Sequence, residues 1–346
     1  MSKSFREYLA NFDESQWLTA IDELLPSIHE VDRNAVQIWF RFFPLSFRRY
    51  VGGTEDREEM IRGLALKGDF ELEHQIDTSH YFLYGHRYWK KVKCVIEKMA
   101  DEYAGEETPL VETIKSVAMP VSKKLKVDRS LTNAIAAVGL MTLNQVGLDA
   151  FKFASGEVLD PIGLMKKSPD TIVAERARDD SQGLFGFLRT VDKKFSVKFA
   201  GMHATGKFPI VMDEEIATAS QKDHSKDWQA RDERCWEGPV PIECTSASCG
   251  TCWVGVLGGQ EKLTEVKPRE RRAMKVFGYN QPEDEKPFLR LACQARAEGN
   301  VTIVIPPWNG VFGKKVYGNV EDVELEPVTT SAKQLREVVK SAASGE

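Results

Sequence analysis

The chain has 346 residues, of which 42% are hydrophobic and 29% charged, and its net charge is −5. That length predicts roughly two domains, and the apolar content is enough to build cores, which excludes disorder of the whole chain. The acidic balance excludes a general nucleic-acid binder, and six cysteines are too few for a disulfide-built scaffold of this size.

No membrane span is visible in the sequence. The most apolar stretch, residues 134–143, is soon followed by Asn144, Gln145 and Asp149, whereas a span needs about 20 apolar residues. Residues 1–7 carry no apolar signal core. These features predict a cytoplasmic protein, in which thiols stay reduced and clustered cysteines bind metal more often than they pair.

The patterning predicts an α+β chain in four parts: a mostly helical domain over 1–154, a connector over 155–192, a strand-bearing domain over 193–313 and a C-terminal extension over 314–346. In chain order, Ser15 is a candidate N-cap for a helix carrying Trp17, Leu18, Ile21 and Leu24, which Pro26 ends or kinks. Thr54 precedes a helical stretch through Met60 and Leu64. Trp89, Val92, Ile96, Met99 and Tyr103 recur at three- to four-residue spacing, the stripe of one helix face. Cys94 falls on the opposite side of that helix and reads as an unligated thiol. Asp128 is a candidate N-cap for a helix through Leu131, Ile135, Val138 and beyond Leu143, with Gly156 as its stop.

The connector contains Pro161, Pro169, a charged run over 175–180, Gly183 and Gly186. The period then changes. Phe195, Val197 and Phe199 alternate with polar residues, as in a strand, and Val301 to Ile305 is a short β-branched run of the same kind. A second strand is expected over Phe208 to Met212, and a helix from Arg269 to Phe277. The last residues are expected to fray.

Two patterns in the helical part invite functional readings. His74, His80 and His86 recur every six residues, with Glu71 three before His74. A di-iron bundle needs two E-x-x-H motifs and two further Glu, and only one motif is present. Six-residue spacing also puts these histidines on different faces of any one helix, so surface or core histidines are expected. The stretch 39–50 mixes aromatics with Arg41, Arg48 and Arg49. It reads as an internal helix end with snorkelling arginines; peripheral docking on a membrane surface or partner is the alternative.

The informative constellation is Cys244, Cys249, Cys252 and Cys293. The first three have the C-x4-C-x2-C spacing of plant-type [2Fe–2S] sites, with a distant fourth thiolate. Two irons bridged by two sulfides need two outer ligands each. One loop supplies three of the four only if it wraps closely. The small residues at 245–248 and Gly250 permit that wrapping and let backbone N–H groups point at sulfur. A zinc site or four unconnected core cysteines are the alternatives; zinc sites usually use paired C-x2-C knuckles, and only one such pair is present. Cys235, close in sequence to Cys244, reads as an unligated thiol or as a reserve ligand.

From the loop, the Gly-Thr before Cys252, the Leu-Ala-Cys-Gln around Cys293 and the following strand, the sequence over roughly Lys193 to Gly313 resembles the plant- and bacterial-type [2Fe–2S] ferredoxin family. The resemblance implies a β-grasp fold, a mixed sheet with a helix packed across it. It also implies that Cys244 and Cys249 hold one iron, that Cys252 and Cys293 hold the other, and that the cluster carries one electron at a time. The stretch from the second strand to Cys244 is longer than the family's, and acidic and basic residues balance over the domain. Trp253, Phe288 and Leu291 flank ligands and are expected to exclude water.

No G-x-G-x-x-G or Walker A sequence and no second cysteine cluster occur. The leading expectation is therefore one-electron transfer, with the helical domain docking a dedicated redox donor or acceptor or a protein complex. The alternatives are a redox enzyme with a second cofactor or substrate site in the helical domain, and a redox-sensing or structural cluster module.

Overall fold

The computed structural model describes residues 4–178, 193–202, 204–282, 287–318 and 342. Most of the glycine-containing half of the connector, 179–192, and of the C-terminal extension, 319–346, lies outside the described residues. The chain is mixed α and β, with a helical N-terminal region and a C-terminal sheet. It divides into two compact units: residues 1–53 with 71–175, and residues 54–70 with 176–346. A short N-terminal segment thus belongs to the sheet-bearing unit.

The first unit starts with α1 (Phe5–Ala10), α2 (Glu14–Leu24), α3 (Glu30–Phe42) and α4 (Leu45–Gly52). The cap of α2 is Asp13 rather than Ser15. Asp13 and Gln16 exchange side-chain and backbone hydrogen bonds as a capping box, and a carboxylate there also suits the positive end of the helix. Pro26 lies in the 3₁₀ turn (Leu25–Ser27) that follows α2. In α3 and α4 the aromatics of the 39–50 stretch turn inward: Trp39, Phe40, Phe42, Phe43 and Phe47 are buried. The arginines among them are held by acceptors, with Arg48 paired to Glu73 and Arg49 donating to the carbonyls of Ala10 and Phe12.

After α5 (Arg57–Gly63), which Asp56 caps, the chain returns to the first unit with α6 (Trp89–Asp101), α7 (Leu110–Leu125), α8 (Ser130–Val146) and α9 (Leu148–Phe153). Helix α8 is the centre of this unit. Every residue from Leu131 to Gln145 is buried, as expected of a helix that is apolar nearly all round. It packs against α1, α3, α6, α7 and α9. Its stop is Gly147, nine residues before the expected Gly156, because Gly147 takes a positive φ and the chain turns at once into α9. Asp128 does serve the start of α8: its carboxylate accepts the N–H of Ser130 at 2.8 Å. The stripe of α6 meets α8 at Gly139, where a Cβ would come within 2.6 Å of Ile96 and 3.1 Å of Trp89. The expected connector contains a helix, α10 (Pro169–Ala177), whose Ile172 packs with Val31, Tyr84 and Leu131.

The second unit contains α5, β1 (Lys67–Gly68), β2 (Lys194–Ala200), β3 (Thr205–Val211), β4 (Glu214–Glu215), α11 (Ile216–Ser220), β5 (Trp253–Gly258), α12 (Pro268–Phe277), β6 (Leu289–Leu291), β7 (Arg296–Ala297), β8 (Val301–Val304), β9 (Trp308–Asn309) and α13 (Gly313–Tyr317). Its main sheet has the order β3-β2-β8-β5-β6. β2 and β8 run parallel, with Val197 opposite Val301; the other neighbours are antiparallel. Both strands match the runs read from the sequence. Helix α12 is joined to β6 through a buried ion pair: Arg290 donates from Nε and Nη2 to the two oxygens of Glu270 at 2.8 and 2.9 Å, and Glu270 also accepts the N–H of Leu291. The same strand leads into Cys293. Small two-stranded pairs, β4 with β7 and β1 with β9, complete the unit.

Candidate metal centre

Three of the four sequence-selected cysteines lie on the loop between α11 and β5, and Cys293 lies just after β6. Antiparallel pairing of β5 and β6 sets Trp253 opposite Leu291. The N–H of Ala292 donates to the carbonyl of Cys252 at 2.9 Å, which fixes Cys293 beside the end of the loop. The loop and the end of β6 carry all four cysteines. Cys244 and Cys249 are in hydrogen-bond contact, as are Cys252 and Cys293, and the pairs feel each other's charge. Cys244, Cys252 and Cys293 are buried and Cys249 is half-buried.

A hydrogen bond shared between the Cys244 and Cys249 thiols brings Cys244 down to about 5 despite the cost of burial. Cys249 is pushed up by the same bond and by burial. Cys293 is lowered by its bond from Cys252, which is raised in turn. Four cysteines carried on one loop and the adjoining strand end are of the chemical type that holds a thiolate-ligated metal group.

The loop wraps these sulfurs with polar hydrogens. The N–H of Ser248 donates to Cys244 Sγ at 3.4 Å, and backbone donors from Thr251 and Ala247 serve Cys249 and Cys293. Gln294 Nε2 reaches Cys293 Sγ at 3.6 Å. The wrapping requires two left-handed residues, Ala247 at φ 56° and Gly250 at φ 72°. At Gly250 a Cβ would also sit 3.0 Å from the Phe277 ring, so both backbone and neighbour call for glycine.

Behind the loop lies an aromatic wall. Trp253 and Tyr279 stack with centroids 4.0 Å apart, Trp308 meets Trp253 edge-on at 5.7 Å, and Phe312 packs on Trp308. Tyr279 donates its hydroxyl to the carbonyl of Gly250 at 2.5 Å, and burial followed by the cysteine charges pushes its ionisation well up. Trp253, Phe288 and Leu291, the expected water-excluding neighbours, are all buried. The outer edge of the loop is different: Thr245 is exposed, and Ser246, Ser248 and Gln294 are half-buried, a neutral polar rim.

Among the described residues no three His, Cys, Asp or Glu side chains are gathered as ligands of a single ion. Cys235 is apart from these four cysteines: its thiol donates to the Pro239 carbonyl at 3.3 Å and burial pushes it up to about 12. Cys94 is exposed on α6.

The histidines are not brought together as a trio. His74 is largely exposed and pairs with Glu71 at 3.2 Å. His80 and His86 are buried, their Nδ1 atoms 2.9 Å apart, with the Trp89 ring tilted against His80 at 4.2 Å. His86 Nε2 accepts the N–H of Leu159 at 2.9 Å, which leaves its proton on Nδ1 to donate to His80. Burial holds His86 at about 4, and burial together with His86 holds His80 well below the usual value. These two are neutral core histidines that tie the chain after α9 to the helical unit.

The sequence reading missed Lys67, Glu243 and Tyr279, and it noted Thr251 without its tie to Glu243. Glu243 and Thr251 adjoin ligands and were readable as neighbours; Lys67 lies 176 residues from Glu243, and nothing local marks it. Comparison with protein-family models, curated proteins and solved structures finds no match to the chain. No helix among the described residues is long and apolar enough to cross a membrane.

Proposed function

We propose that the chain is a one-electron transfer protein, whose 193–313 region is a ferredoxin-like β-grasp domain holding one [2Fe–2S] cluster on Cys244, Cys249, Cys252 and Cys293. The observation that carries this reading is the three-cysteine loop, whose Ser248 N–H points at the Cys244 sulfur, with Cys293 fixed beside its end by the β5–β6 pairing and the Ala292 N–H to the Cys252 carbonyl. Two irons need two thiolates each, and the loop with Cys293 offers four. The strand order, with β2 parallel to β8 in the middle of the sheet and α12 fastened to β6, supports the β-grasp reading.

When bound, the cluster supplies a site that gains and loses one electron, near about −400 mV for the plant type. The protein groups act around it. Donors from Ser248, Thr251, Ala247 and Gln294 stabilise the added negative charge on sulfur, whereas the aromatic wall excludes water and opposes that charge. The neutral rim of Thr245, Ser246 and Ser248 offers little charge for steering, which favours a dedicated partner docked by the helical unit over a promiscuous shuttle.

The deciding experiment is anaerobic purification with iron and sulfide counted, and absorption and low-temperature EPR spectra before and after dithionite. Two irons, two sulfides and an EPR signal that appears only on reduction are expected. Zinc, or protein without metal when purified free of air, overturns the reading.

A further inference from the structure

The segment 54–70 has no obvious reason to be in the cysteine unit. It contributes only α5 and the two-residue strand β1. Yet it is seated closely. Lys67 pairs with Asn309 and Gly68 with Trp308, and the N–H of Asp69 donates to the Pro307 carbonyl at 3.0 Å. A Cβ at Gly68 would lie 2.4 Å from the Pro307 carbonyl oxygen. The partner strand is itself fixed to the centre, because the Trp308 carbonyl accepts the indole N–H of Trp253, the residue after Cys252.

This placement delivers one cation to the cysteine loop. Lys67 Nζ donates to Glu243 Oε1, and Glu243 directly precedes Cys244. The other oxygen, Oε2, accepts the Thr251 hydroxyl at 3.3 Å. Thr251 directly precedes Cys252, so Glu243 bridges the two ends of the loop.

We propose that Lys67 is a positioning residue that acts on the cluster through Glu243; this rests on the [2Fe–2S] reading above. Paired with Lys67, Glu243 brackets the loop without placing a bare negative charge beside Cys244. Without Lys67, the carboxylate stands uncompensated next to a ligand, which disfavours the reduced, more negative state. Glu243 is only 18% exposed, so solvent screens this charge incompletely. Removing the carboxylate while keeping Lys67 has the opposite sign, because a positive charge is then left over.

The test uses the full chain, loaded with its cluster, as K67M, E243Q and the double variant, each titrated for midpoint potential by EPR after iron and sulfide are counted. K67M is expected to shift the potential negative, E243Q positive, and the double variant to return close to the parent. Lys67→Arg restores the parent value, and it keeps the test usable if K67M folds poorly. Shifts of the same sign in both single variants, as loosening of the loop alone would give, overturn the proposal, as does a potential that neither variant moves. A parent protein that binds no two-iron cluster overturns the underlying reading instead.

Discussion

The two units are held together in different ways. In the helical unit, one apolar helix, α8, sits among its neighbours, and its contacts are close-packed side chains such as Ile96 and Trp89 against Gly139. In the cysteine unit the sheet packs an apolar core of its own, and the loop is fixed in addition by directed polar contacts: Glu270 with Arg290, Glu243 with Thr251 and Lys67, Tyr279 with the Gly250 carbonyl. Nonpolar packing tolerates many solutions. Directed contacts specify one, and a loop that must hold four sulfurs in place needs the second kind. The core around α8 is thus most sensitive to changes of volume, and the cysteine loop to loss of a single partner.

The largest effect is expected from Arg290→Ala, which leaves the Glu270 carboxylate buried without its cation. It should destabilise the cysteine unit by about 3–5 kcal/mol, read by denaturant unfolding followed by tryptophan fluorescence. A loss near that of an exposed pair, below about 1 kcal/mol, would contradict the contrast between the units.

Acid should weaken the helical unit next. His86 is held at about 4, chiefly by burial. The unfolded chain takes up its proton near pH 6.5, so it binds more protons than the folded chain between pH 6.5 and about 4. Stability therefore falls as pH drops through that window and is flat above it. The loss due to His86 is about 3 kcal/mol at the acid end, because each tenfold weakening of proton affinity on folding is worth about 1.4 kcal/mol. Denaturation followed by helix signal across this range checks it, and His86→Gln should flatten the slope.

Gly139→Ala probes packing directly. The added methyl meets Ile96 and Trp89, and overpacking of this kind costs about 1–3 kcal/mol. The midpoint of helical unfolding should fall while the cysteine unit is unaffected. Gly250→Ala is the matching change in the other unit. Left-handed backbone at an L residue costs about 1–2 kcal/mol, and the Phe277 ring must also shift. Here the readout is iron retained on purification, which should fall. The smallest effect belongs to Asp13→Ala, which removes the cap of α2 and should cost about 1 kcal/mol.

The legible parts of the molecule were those set by neighbours in sequence. The α6 stripe, the strands at 194–200 and 301–304 and the three-cysteine loop each follow from spacing within a few residues, because helix and strand periods and loop wrapping are local properties. Local rules were also where small errors arose: Asp13 outcompeted Ser15 as a cap because Gln16 could complete the box, and Gly147 ended α8 before Gly156 was reached. That Glu270 would meet Arg290, that His80 would meet His86 across a turn, and that Lys67 would leave the helical part to stand beside Glu243 depended on how the whole chain closes. No residue carries a mark of a partner 20 or 176 positions away. Such pairs form because desolvated charges and hydrogen-bonding groups must find whichever partner the packed backbone brings within reach.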